Sequence, residues 1–176
     1  MGGHGRGQEW NNRRRLVRAS DQHTYVGENM TKTIDGLVLR AATVEEHATI
    51  AKIAKTSPYT RDFTNTVMFS SEQAYENGWI RVAELDGQIV GFTCVRHKKR
   101  FPETALYFIQ IIESHRSRGI GEIMLQDIVD NAPTKTIRLN VMRDNEGARR
   151  FYERLGFSAK EQTGMVWSRK HPGSQA

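Results

Sequence analysis

HRSRGIGEIML, residues 115–125, is the stretch on which the fold turns. Its first half spaces Arg116, Gly119 and Gly121 as R-x-x-G-x-G. Its second half turns apolar at helical intervals through Ile120, Ile123 and Met124, and the pattern runs on to Ile128. The run before it, TALYFIQII at 104–112, is rich in β-branched and aromatic residues and reads as a strand. A strand, a glycine-bearing turn and a helix starting near Gly121 suit a phosphorylated ligand. The first amides of a helix have no intrahelical partner, and the helix dipole puts partial positive charge at that end. Glycine removes the Cβ that would hold a pyrophosphate off the backbone, and Arg116 and Arg118 add charge. The stretch lacks the G-K-S/T of a P-loop and the G-x-G-x-x-G of a dinucleotide fold. Taken alone, it reads equally well as a glycine turn with two solvated arginines.

The elements on either side predict an α/β domain. GLVLRAA at 36–42 reads as a strand. The helix that follows, TVEEHATIAKIAK, opens with a capping box of Thr43 and Glu46 and is stopped by Pro58. SSEQAYENG is a short helix ending at Gly78. WIRVAELDGQIVGFTCV holds two β-rich runs around Asp86-Gly87, a strong hairpin signal. TIRLNVM is a strand, EGARRFYERL a helix closed by Gly156, and FSAKEQ and GMVWSRK are two β segments around Gly164. The order β-α-α-β-β-β-α-β-α-β-β implies a partly parallel sheet near its middle.

The chain of 176 residues is one domain's worth with a tail. Residues 1–35, rich in Gly, Asn and Arg with no apolar period, read as a flexible basic arm; 36–170 form the domain and 171–176 a disordered tail. Met30 stands directly before the ordered part, so translation is expected to begin at Met1 or Met30, which N-terminal sequencing of the native product decides. No apolar run reaches the roughly 18 residues that span a bilayer. The only cysteine is Cys94, so no intramolecular disulfide forms and a cytoplasmic location is expected. The net charge of +6 suits an anionic partner such as nucleic acid, but the basic residues are spread along the chain and a solvated basic surface is the preferred reading.

A second block downstream changes the weight of the first. LNVMRDNEGARRFYERLGF, residues 139–157, places Tyr152 seven positions after Asn145 and closes on L-G-F. With R-S-R-G-I-G upstream, the chain resembles the GCN5-related N-acetyltransferase (GNAT) superfamily over about residues 36–168. The resemblance implies a mixed central sheet of about six to seven strands with a splayed parallel pair, flanked by about four helices. It implies acetyl-CoA as co-substrate, lying between TALYFIQII and TIRLNVM, and no metal. Backbone groups of Ile109, Gln110 and Ile111 would hold the pantetheine and polarise the thioester carbonyl. The pyrophosphate would sit on amides from Ser117, Arg118, Gly119, Ile120, Gly121 and Glu122, beside Arg116. Asn145 matches the family asparagine that contacts the cofactor, and it also suits a helix N-cap. Tyr152 matches the tyrosine that protonates the leaving thiolate; a core aromatic is its other reading.

In the ribosomal-protein acetyltransferases of this superfamily a glutamate in the second strand is the base. Here that position is Asn140, which has no useful basicity. Glu113 and Glu84 take first place among the replacements, followed by Glu103, His115 and water. Tyr59, Phe63 and Phe69 would form an amphipathic acceptor wall, and Arg96, Lys98, Lys99 and Arg100 a basic rim. The leading expectation is direct transfer of acetyl to a primary amine, in a monomer or homodimer. Its alternatives are a macromolecular amine (a protein lysine, a protein N-terminus or an aminoacyl-tRNA) and a non-catalytic acetyl-CoA-binding module.

Overall fold

The computed structural model describes residues 15–16, 33–61, 66–98, 103–160 and 164–168. Met30, Phe63, Lys99, Arg100 and the tail 171–176 lie outside the described residues. In chain order the elements are β1 (Arg15–Leu16), β2 (Leu37–Ala41), α1 (His47–Lys55), α2 (Val67–Ser70), α3 (Glu72–Glu76), β3 (Ile80–Leu85), β4 (Gln88–Lys98), β5 (Glu103–Ile111), α4 (Ile120–Asn131), β6 (Thr136–Asn140), α5 (Glu146–Arg154), β7 (Ser158–Lys160) and β8 (Gly164–Ser168). The strands form a mixed sheet in the order β1-β2-β3-β4-β5-β6-β8-β7, with β5 and β6 its parallel pair. Without the two-residue β1 the sheet has the expected seven strands. β1 lies inside the segment read as a flexible arm and pairs antiparallel with β2, Arg15 opposite Leu39.

Local chemistry accounts for the element ends. Glu46 accepts from the Thr43 amide at 2.8 Å, so the box starts a 3-10 turn at Val44–Glu46 that runs into α1. Asp86 and Gly87 both have positive φ, 50° and 83°, as a two-residue I′ hairpin requires. Gly156, at φ 85°, closes α5.

Apolar residues bury on both faces of the sheet. On one face Ile50, Ile53 and Ala54 of α1 and Ala74 and Tyr75 of α3 pack with Phe69 on Ile80, Val82, Phe92 and Cys94. On the other, Ile120, Ile123 and Met124 of α4 cover Leu39, Ala83 and Val90, while Leu125 and Ile128 pack with Tyr152 of α5 on Leu106, Ile137 and Leu139. A buried ion pair, Arg81 with Asp127 at 3.1 Å, ties β3 to α4. Among the described residues no helix is long and apolar enough to cross a membrane.

Two bulges shape the centre. Ala83 faces Gly91 but Glu84 faces Ile89, so Val90 is an extra residue on β4. Cys94 faces Phe108 but Val95 faces Leu106, so Tyr107 is an extra residue on β5. The parallel pairing of β5 and β6 covers only Thr104–Leu106 against Ile137–Leu139. Beyond the Tyr107 bulge, β5 runs on to Ile111 without β6 beside it, and this unpaired edge leaves a gap between the two parallel strands.

Candidate active site

The free edge of β5 has a defined polarity. The Ile112 amide donates to the Val90 carbonyl on β4 at 2.9 Å, and a Cβ on Gly91 would meet the Gln110 carbonyl oxygen at 2.7 Å. Backbone groups alternate along a strand, so Gln110 turns its own toward β4. The groups that face the gap belong to Ile109 and Ile111. Arg116 Nε donates to the Ile111 carbonyl at 3.2 Å and closes the strand's end. Of the three residues picked for backbone contact, Ile109 thus offers both amide and carbonyl, Ile111 its amide, and Gln110 its side chain on the α1 face.

At the open end of the gap a 3-10 turn, Glu113–His115, leads into the arginine-glycine loop. Ser117 and Gly119 both have positive φ, 60° and 88°. Two left-handed residues in three bend the backbone into a concavity that suits an anion. Gly119 is the N-cap of α4, and the amides of Ile120, Gly121 and Glu122 follow it. A Cβ on Gly121 would lie 3.2 Å from Ile111 Cδ1 and 3.4 Å from Phe151 Cζ. Its absence lets the N-terminus of α4 close on both β5 and α5. Arg118 and Glu122 are exposed. These features fit a pyrophosphate at this loop.

Asn145 is the N-cap of α5, and its Oδ1 accepts from the Ala148 amide at 3.1 Å. The oxygen is therefore engaged by the helix. Tyr152 is 7 % exposed, with ring centroids 5.2 Å from Phe151 and 5.5 Å from Phe157. Burial pushes its phenol well above the ordinary value, so it stays protonated through the neutral range. Cys94 is buried, and burial pushes its thiol up to about 12, away from the thiolate form that a nucleophile needs.

The acid-base candidates separate. Glu113 is exposed, two residues beyond the end of β5. Glu84 Oε2 accepts from Arg40 Nε at 2.9 Å and Nη2 at 2.6 Å, and Arg40 also binds Glu46. Glu103 pairs with Arg138 at 3.1 Å where the parallel strands are still joined. His115 Nδ1 lies 2.9 Å from Ser114 Oγ. Asn140 is exposed at the end of β6. Of the aromatics expected to form an acceptor wall, Tyr59 is exposed at 38 %, whereas Phe69 is fully buried in the core, 4.7 Å from the His47 ring, and so lines no open wall. Arg96 of the rim lies 4.7 Å over the Trp79 ring.

One polar cluster escaped the sequence reading. Gln110 donates to the Ile53 carbonyl at 2.7 Å and to Thr56 Oγ1 at 2.8 Å, and it accepts from Thr60. Its only sequence signal is a glutamine in an otherwise apolar strand end.

Comparison with known proteins accords with this geometry. The sequence model of the acetyltransferase (GNAT) family matches residues 44–157. The chain is 49 % identical over 122 residues to a 5-NmdU N-acetyltransferase of Pseudomonas phage PaMx11, covering 69 % of this chain and 87 % of that protein. It is 29 % identical over 91 residues to the N-alpha-acetyltransferase RimI of Mycobacterium tuberculosis, covering 51 % and 58 %. In fold it resembles the PaiA N-acetyltransferase of Thermoplasma acidophilum, solved in complex with coenzyme A: TM-score 0.60, 16 % identity, 76 % of this chain and 99 % of that one.

Proposed function

Because the chain belongs to the acetyltransferase (GNAT) family and is an N-acetyltransferase, we propose that it moves the acetyl group of acetyl-CoA to a primary amine carried on a pyrimidine of DNA. The observation that carries this reading is the 49 % identity, over most of both chains, to a 5-NmdU N-acetyltransferase. We take that abbreviation to denote a 5-aminomethyl deoxyuridine. The net charge of +6 is in keeping with a polyanionic acceptor. The single cysteine, which can form no intramolecular disulfide, is in keeping with a reducing compartment such as the cytoplasm.

The donor is an acyl thioester, and it brings an activated carbonyl and a good leaving group. The chain's residues do the rest. The loop from Ser117 to Glu122 binds the pyrophosphate through backbone amides, with the positive end of α4 behind them. Ile109 and Ile111 turn amides into the gap, where one of them stabilises the developing oxyanion; a donor so placed contributes about 3 kcal/mol. Asn145 keeps its amide NH2 for the donor while its oxygen caps α5. Tyr152 donates its proton to sulfur as the C–S bond breaks. A phenol is protonated at neutral pH and so has a proton to give to the departing thiolate.

The amine must arrive neutral. Of the two leading carboxylates, Glu84 would have to give up Arg40, whereas Glu113 is exposed at the open end of the gap. We therefore place proton removal at Glu113, directly or through water. A CoA-release assay over aminomethyl-deoxyuridine DNA, a lysine peptide, a free peptide N-terminus and an aminoacyl-tRNA tests the acceptor. The modified DNA is expected to be turned over fastest; faster turnover of any of the others refutes the reading.

A further inference from the structure

The side chain of Gln110 makes a buried network separate from the backbone contacts of its strand. It is 6 % exposed on the α1 face, opposite Phe92 on β4. A buried primary amide is costly unless its polar atoms are satisfied. Here both are, and every partner lies in one short piece of chain. Nε2 donates to the Ile53 carbonyl and to Thr56 Oγ1, and Thr56 Oγ1 itself donates to Ile53 at 2.7 Å. Oε1 accepts from Thr60 Oγ1, which also lies 2.6 Å from the Ala54 carbonyl. Thr60 is buried at 7 %.

The piece so held is the last turn of α1 and the segment that follows. Within it Thr60 and Arg61 both donate their amides to the Ser57 carbonyl, at 3.3 and 3.0 Å, and the Tyr59 amide donates to Ser57 Oγ. It is a turn closed on itself, with Tyr59 exposed on its surface. Gln110 sits between the two residues whose backbone groups face the gap, and its side chain reaches through the core to this turn.

We infer that Gln110 is a positioning residue that latches the segment Thr56–Arg61 onto β5. The latch fixes the distance between the acceptor's wall and the thioester carbonyl. Acetyl-CoA, held by the loop at α4 and by the gap-facing groups of β5, does not depend on it. This rests on the readings that the outer half of β5 holds the donor and that the turn carrying Tyr59 borders the acceptor, and it is independent of which amine is the acceptor.

The test is steady-state kinetics on the full chain with the fastest primary amine of a panel that includes aminomethyl-deoxyuridine DNA. If the DNA is not the fastest, the acceptor reading fails and the latch is still measured. Gln110→Leu and Thr60→Val are each expected to raise the acceptor KM about tenfold while the acetyl-CoA KM stays within about twofold. Thr60→Ser, which keeps the hydroxyl, is expected to restore the acceptor KM. Because that rescue is read on Thr60 alone, it holds even if Gln110→Leu folds poorly. An unchanged acceptor KM in Thr60→Val, both KM values rising together, or failure of Thr60→Ser to rescue overturns the proposal.

Discussion

Tyr152 is held by ring contacts on two sides, and burial keeps its phenol protonated. Removing only the hydroxyl tests its part. Tyr152→Phe is expected to lower kcat by about 100-fold or more with acetyl-CoA affinity kept, as measured by calorimetric titration and turnover. Asn145 has a structural duty that can be separated from the donor contact proposed for it. Asn145→Ala is expected to cost about 1 kcal/mol in denaturant unfolding, and Asn145→Asp to recover most of it because a carboxylate caps as well. His97 sets a pH dependence. Burial lowers its value from 6.5 to about 4, and Nδ1 lies 2.8 Å from Thr104 Oγ1. The folded state thus favours the neutral ring. Its support is present above pH 6.5 and drains as pH falls toward 4. The melting temperature is expected to fall more steeply across that window in the unaltered protein than in His97→Gln.

At the level of elements, β5 depends on a glycine across from it. A Cβ at Gly91 would stand 2.7 Å from the Gln110 carbonyl oxygen, and backbone cannot step aside as a side-chain end can. Gly91→Ala is expected to destabilise by about 1–3 kcal/mol and to raise the acetyl-CoA KM, because it pushes the strand that borders the gap. The sequence made the hairpin at Asp86-Gly87, the α1 box and the glycine stop of α5 legible, since each follows from the chemistry of a few neighbouring residues. The bulges at Val90 and Tyr107 were not legible. A bulge is a relation between two strands, and neither strand's own pattern contains it. β1 escaped for another reason: a two-residue strand in a polar arm has no period to read. The four-residue α2 is likewise too short to show one.

Across the whole molecule, the side proposed for the donor carries a sequence signature and the side proposed for the acceptor does not. The proposed donor side is built from backbone groups at a loop and a helix end, which leave a glycine pattern. The wall on the α1 face is built from long-range contacts such as Gln110 with Thr60, fifty positions apart, which leave none. Glu84 shows the same limit: as a letter it is a free carboxylate, and in the fold Arg40 holds it. The proposed DNA acceptor carries a further expectation at this scale for a chain of charge +6. The KM for modified DNA should rise steeply with salt, while that for a small uncharged amine acceptor stays nearly flat. The most direct measurement is mass analysis of the nucleosides released from aminomethyl-deoxyuridine DNA after incubation with the protein and acetyl-CoA. The account predicts a modified deoxyuridine heavier by one acetyl group, absent when Tyr152→Phe replaces the protein under the same brief reaction. An unchanged nucleoside, from protein that acetylates another amine in the same tube, would contradict it.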